Sequence, residues 1–187
     1  MRVPAGIRLF GSVPVPYTVA WTGEDEYYVA KCPVIHLPAI CQSSAPGVGK
    51  PTFGNPHWIR QREAICNDLC DICGKSLKGR TKISLSHARA RFNGANGMCV
   101  MQVEPLLHQE CASLAMLHCP SLKKDIENGT LFVRRVSQHR KQYAISDPQY
   151  LDIYVPGYPA RPDERVAAHG KVELVKWKDL RIEVLQR

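Results

Sequence analysis

LCDICGKSL, residues 69–77, places Cys70 and Cys73 at CxxC spacing with a glycine directly after, and the reading of this stretch decides the fold. Two thiolates three positions apart on a tight turn can grip one side of a tetrahedral ion. The matching pair lies downstream in EPLLHQECASLAMLHC, residues 104–119, where His108 and Cys111 are again three apart at the start of a segment with helical periodicity. Side chains at that spacing share one helical face. The four residues Cys70, Cys73, His108 and Cys111 therefore form a closed Cys3His ligand set for a structural zinc ion, with no position left over for a reactive water.

Composition sets the frame around this pair of pairs. A chain of 187 residues, 44% of them hydrophobic, can bury a core without covalent staples. Arg8 and the surrounding prolines interrupt any signal-peptide core, and no apolar run reaches membrane-spanning length. The expectation is a soluble cytoplasmic protein whose eight cysteines stay reduced, so that clustered thiols bind metal and Cys66, Cys99 and Cys119 pack in the core. Cys32, His36 and Cys41, in KCPVIHLPAIC (31–41), offer a second metal site, with Cys66 or His57 as a further donor. They sit between prolines and lack a second close pair, so packing and loop is the preferred reading.

Around the cysteine pairs, hydrophobic patterning lays out the elements. Residues 1–56 are rich in proline and glycine, with VPYTVAW (15–21) and EYYVAKC (26–32) as short strands. GNPHWIRQREAICNDLC (54–70) predicts a helix capped by Asn55, with Pro56 at its first position, Trp58, Ile65 and Leu69 on one face, and Arg60 and Glu63 toward water. KISLSHARARF (82–92) predicts a strand or hairpin, with GANGMCVMQV (94–103) returning. A second helix follows with Glu104 and Pro105 at its start, Leu107, Cys111 and Leu114 on one stripe, and a stop at Cys119-Pro120. TLFVRRV (130–136), YLDIYV (150–155), KVELVKW (171–177) and RIEVL (181–185) read as further strands. The fold class is thus α+β: a treble-clef zinc finger centre (57–125; knuckle, hairpin, helix) flanked by β-rich segments (1–56 and 126–187) in one compact body.

The net charge of +8 is concentrated near the cysteines. No acidic residue occurs from Ile72 to Val103, while Lys78, Arg80, Lys82, Arg89 and Arg91 accumulate there, and RRVSQHRKQ (134–142) adds a second basic stretch. Such a field attracts phosphates, which points to nucleic acid or a host nucleic-acid-handling protein as partner. A protein-only adaptor or inhibitor of a host enzyme is the other binding class. One enzymatic alternative is an HNH-like nuclease with His87 as general base and Asn93 and Asn96 nearby. Against it, Ser86 stands where an acidic neighbour belongs, Ala112 and Ser113 occupy the places of further metal-binding side chains, and His118 lies two turns down the helix. SSAPGVGKPT (43–52) departs from a phosphate-binding loop, with Ser44 for the first glycine and Pro51 removing a donor, and reads as a plain loop.

GKPTFGNPHWIRQREA (49–64), CDICGKSL (70–77) and MCVMQVEPLLHQECASLAMLHCPSL (98–122) together resemble a group of uncharacterised phage and prophage proteins. In that group a CxxCG knuckle precedes a GxMC segment, an EPP-type helix start, HxxCA and a terminal CP. The resemblance covers about two fifths of the chain and implies a viral origin and Cys70, Cys73, His108 and Cys111 as ligands. Pro105-Leu106-Leu107 and Cys119-Pro120-Ser121 depart from the group's pattern, neither at a ligand. The resemblance carries no activity with it.

Overall fold

The computed structural model describes residues 6–94, 97–159, 161 and 163–185. In chain order it contains β1 (Arg8–Phe10), β2 (Val13–Val15), β3 (Val19–Trp21), β4 (Tyr27–Lys31), β5 (Pro38–Gln42), β6 (Pro51–Pro56), α1 (Trp58–Cys66), β7 (Lys82–Ser86), β8 (Arg91–Phe92) and β9 (Met98–Gln102). These are followed by α2 (Gln109–His118), α3 (Pro120–Glu127), β10 (Phe132–Ile145), α4 (Pro148–Tyr154), β11 (Ala167–Leu180) and a 3-10 turn at Ile182–Val184. This is an α+β body with mixed sheets. No helix among the described residues is long and apolar enough to cross a membrane.

The largest sheet has seven strands and draws on all three parts of the chain. Its path runs β4-β5-β11-β10-β7, and β9 joins β11 on one side and β8 on the other. Only β5 and β11 run parallel, meeting at Ala39 and Ala167; the other pairs are antiparallel. β11 is the hub, and its residues 167–174, AAHGKVEL, are mostly buried because strands flank it on both edges and α1 lies across it. Gly170 is needed at that crossing: a Cβ there would come within 2.9 Å of the Ile65 side chain. The Gln61 amide fixes the same crossing, its Oε1 accepting from the Gly170 N–H at 2.8 Å and its Nε2 donating to the Gly170 carbonyl at 2.9 Å.

The main core lies between this sheet and α2, with Ile83, Leu85, Val133 and Leu174 meeting Leu114 and Met116. Cys70 and Cys111 belong to it, so the cysteine cluster is an extension of the core rather than an appendage. A second core gathers Trp58, Ile40 and Leu151, with Trp58 stacked on His169 at 3.7 Å between centroids and edge-on to Tyr154 at 4.8 Å.

Several elements differ from the sequence expectation. The first helix is capped by His57, whose Nδ1 accepts from the Arg60 N–H at 3.3 Å, while Asn55 and Pro56 finish β6. Arg60 does not reach water: it is buried on Glu24, because the strand-rich N-terminal segment folds over this face of α1. The second helix starts at Gln109, not at Glu104, because Leu107 is held extended by two 2.8 Å backbone hydrogen bonds with Ile83. Leu107, Cys111 and Leu114 are all buried, although only the last two lie in the helix, and the helix ends before Cys119-Pro120, as the pattern predicts. β7 does not fold back on β9: it pairs with β10, and the hairpin is the shorter β8–β9. YLDIYV is helical, since Asp147 caps α4 by accepting from the Tyr150 N–H and Pro148 opens it. RIEVL forms a 3-10 turn that drops Leu185 into the main core.

Candidate metal centre

The chain reaches Cys70 from α1 through a sharp bend, Asp68 taking a left-handed φ of 53°. Leu69 and Ser76 then form a β-bridge that closes the turn 70–75. Inside it the Gly74 N–H donates to the Cys70 carbonyl at 2.8 Å and the Cys70 N–H to the Lys75 carbonyl at 2.8 Å. The turn is seated on the loop after β2: the Tyr17 N–H donates to the Ile72 carbonyl at 3.0 Å, and the Thr18 hydroxyl donates to the Asp71 carboxylate. Gly74 has φ 66°, and a Cβ on it would stand 2.9 Å from the Tyr17 ring. Gly74→Ala combines left-handed strain with a clash and is expected to destabilise the protein by about 2 kcal/mol or more. A denaturant midpoint unchanged from wild type would refute that account of the turn.

The opposite pair comes from the start of α2, His108 as its N-cap residue and Cys111 in its first turn. The sulfurs of Cys70, Cys73 and Cys111 and a ring nitrogen of His108 all lie within 4.8 Å of one another, and every residue but the half-buried Cys73 is buried. Tetrahedral zinc with bonds of about 2.3 Å to sulfur holds its ligand sulfurs about 3.8 Å apart, so this spacing matches a metal-centred set. The His108 ring has one defined orientation. Its Nε2 faces the Ser76 carbonyl at 3.0 Å, and a carbonyl only accepts, so Nε2 carries the hydrogen. The Nδ1 lone pair then points at the thiols, 3.4 Å from the Cys73 sulfur. Support of a ligand histidine by a backbone carbonyl is the usual outer contact of a metal site.

The sulfurs are prepared for negative charge. Cys70 accepts from the His108 N–H at 3.4 Å and from the Cys73 N–H, and Cys73 accepts from the Lys75 N–H. Hydrogen bonds from Cys111 and Cys70 push the Cys73 thiol far down. The neighbouring Cys70 and Cys73 sulfurs, together with burial, push the Cys111 thiol far up. At Cys70 the bond from Cys111 lowers the value, but the bond to Cys73 and burial outweigh it and raise the thiol to about 11. Three thiolates this close repel one another, and a cation among them removes the conflict. The cluster can hold a metal ion, and among the described residues it is the one group of three or more histidine, cysteine or acidic side chains so arranged.

The other candidates are not brought together in this way. Cys32 and Cys41 are buried beside each other under Arg62, while His36 is exposed in a left-handed turn with φ 59°. Cys99 is buried, and Cys66 and Cys119 are half-buried. His87 is exposed in the loop after β7, Asn93 donates instead to Glu173 at 3.1 Å, and Asn96 lies outside the described residues.

Of the basic set, Lys78, Arg80, Arg89 and Arg91 are exposed, and among the described residues none has an acidic partner. Arg80 borders an open cleft of about 640 Å³, with Thr81, Gln109, Glu110 and Ser113, that reaches His108. Lys82 differs: it is half-buried and lies 3.7 Å from Asp68, which also binds Lys141 at 2.7 Å and His139 at 2.8 Å. Sequence reasoning passed over Ser76 and Tyr17, which act through a backbone carbonyl and a ring contact that residue type does not announce. It also passed over the exposed Phe92, although its place among arginines in ARARFNG was a usable signal. Comparison of the chain with protein families, curated proteins and solved structures gave no match.

Proposed function

We propose that this is a zinc-stabilised binding protein, of phage or prophage origin, that engages nucleic acid through the basic segment between its two ligand pairs. One observation carries the reading. Lys78, Arg80, Arg89 and Arg91, which have no acidic partner among the described residues, sit in the acid-free stretch 72–103, between Cys73 and His108, which the Cys3His cluster draws together across 35 residues of sequence. Zinc suits the donor set, since three thiolates and an imidazole fill a tetrahedron and leave no open position. The order of the parts, a CxxC turn, the β8–β9 hairpin and a helix bearing HxxC, supports a treble-clef arrangement. Zinc bound here supplies rigidity; the chain's own residues do the recognition, with arginine and lysine heads neutralising phosphates.

The test is direct. Metal analysis should find one zinc per chain. The triple variant Arg80→Glu, Arg89→Glu, Arg91→Glu should keep that zinc and lose at least tenfold in affinity for nucleic acid, and wild-type binding should weaken steeply with salt. Lys82 is left out of the variant because its charge is spent on Asp68. Absence of binding at low salt, or binding without salt dependence, would sink the reading and turn attention to a protein partner such as a nucleic-acid-handling enzyme.

A further inference from the structure

Phe92 is 74% exposed and Met98 52% exposed, on a protein whose other aromatic rings are mostly at least half-buried. The two are directly paired across the β8–β9 hairpin, so they share one face of it. The neighbouring pair, Arg91 and Cys99, lies on the opposite face, and Cys99 is buried there. Phe92 and Met98 are therefore the outward face by register, fixed by the pleat and not by a loose side chain. The hairpin is anchored: β9 continues into the main sheet by pairing with β11, and Asn93 donates to the buried Glu173. Arg89 and Arg91 precede the ring in sequence; both are exposed, and among the described residues neither has an acidic partner.

A single exposed phenylalanine is ordinary. An anchored aromatic and thioether pair, bordered by cations in a segment free of acid, fits one ligand chemistry better than others. We infer that the Phe92–Met98 face is a stacking platform for an unstacked base of single-stranded nucleic acid, whose neighbouring phosphates pass round the edge strand β8 to Arg91 and Arg89. This rests on the nucleic-acid reading above and sharpens it. Every base has a π-face, so such a platform is tolerant of sequence. A duplex satisfies the arginines but hides its base faces, and exposing one costs the unstacking of a step. The same surface therefore favours single strands.

The experiment uses the zinc-loaded full chain and a labelled oligothymidylate of about 12 nucleotides, within the range of single-strand site sizes, beside a duplex of equal length. Wild type is expected to bind the single strand more tightly. Phe92→Ala, at an exposed position, should fold normally and weaken single-strand binding about tenfold with the salt slope unchanged, because a base contact and no phosphate contact has gone. Phe92→Trp should bind like wild type, its added indole fluorescence quenched by the oligonucleotide. Arg89→Glu with Arg91→Glu should lower affinity and flatten the salt slope by about 1.4. If the arginine variant loses binding while Phe92→Ala binds as wild type, or if duplex is preferred, the platform is wrong and the basic-surface reading stands. If wild type binds neither oligonucleotide, the basic-surface reading itself has failed and the platform falls with it.

Discussion

Stripping the metal from the Cys70, Cys73, His108 and Cys111 cluster is expected to lower Tm by roughly 10 °C or more. Structural zinc contributes about 10 kcal/mol or more to the folding of isolated fingers. Here only part of that is at stake, since the seven-stranded sheet has a core of its own, and a chain of this size loses about 2–4 °C per kcal/mol. The damage should be local first. The turn 70–75, the extended residues before α2 and the first turn of that helix should lose amide protection, while β10 and β11 keep theirs. Thermal melts and hydrogen exchange with and without a strong chelator would show this. Cys111→Ala is the covalent counterpart, with metal analysis to confirm that the ion has gone. An identical melt and exchange pattern in chelator would show that the cluster is a set of packed thiols.

The second large effect is placed at Glu24, which is fully buried. Its carboxylate accepts from Arg60 Nη1 and Nη2, both at 2.7 Å, and from the N–H groups of Trp21 and Ala45, both at 2.9 Å. Arg60 also donates to the carbonyls of Tyr17 and Val19, so this pair sews the N-terminal strands to α1. Glu24→Ala leaves a buried guanidinium without its counter-charge and is expected to cost about 3–5 kcal/mol. The double variant Glu24→Ala, Arg60→Met should recover part of that, because no lone charge remains buried; strict additivity of the two single changes would contradict the pairing.

The same pair fixes an acid dependence. Burial by itself raises the Glu24 carboxyl, but the hydrogen bonds from Arg60, Trp21 and Ala45 outweigh it and hold the group below its ordinary value of 4.5. The folded state therefore favours the ionised form. Its contribution is fully present above pH 4.5 and is lost as pH falls through the depressed folded value. Relative to wild type, Glu24→Gln should show a flatter decline of stability in that acid window, measured by urea midpoints across pH. Parallel curves would remove Glu24 from the account.

The Cys70, Cys73, His108 and Cys111 cluster was legible because its grammar is local. Each CxxC or HxxC pair is set by spacing, and the periodicity through Cys111 and Leu114 put the second pair at the start of a helix, although that helix begins at Gln109 and leaves Leu107 extended. What lay beyond the sequence was the choice of partner. Arg60 reads as water-facing, yet it is buried together with its neighbours Gln61 and Arg62, the three spending their donors on Glu24, on Gly170 and on the carbonyls of Ile40 and Ala168. Nothing in a stretch of polar residues tells which distant carbonyl will meet it. β7 and β9 illustrate the same gap, since their alternation announces strands while β10 and β11 decide the pairing. In YLDIYV the β-prone composition was overruled by Asp147 and Pro148, a capping signal that was present and outranked propensity.

The position of β11 has a consequence in time as well as in space. It holds β5 at Ala39 and β9 at Val100, Met101 and Gln102, residues that precede it by much of the chain. Until it arrives, β5 and β9 each have an open edge on that side, and the crossing under Gln61 has no strand to hold. Assembly is thus governed by late, long-range closure, the kind of topology that folds slowly and exposes strand edges while it waits. An ion held by Cys70, Cys73, His108 and Cys111 would tie residues 70 and 111 together and shorten the loops that β11 must close, so metal is expected to act on the rate of folding as well as on its outcome.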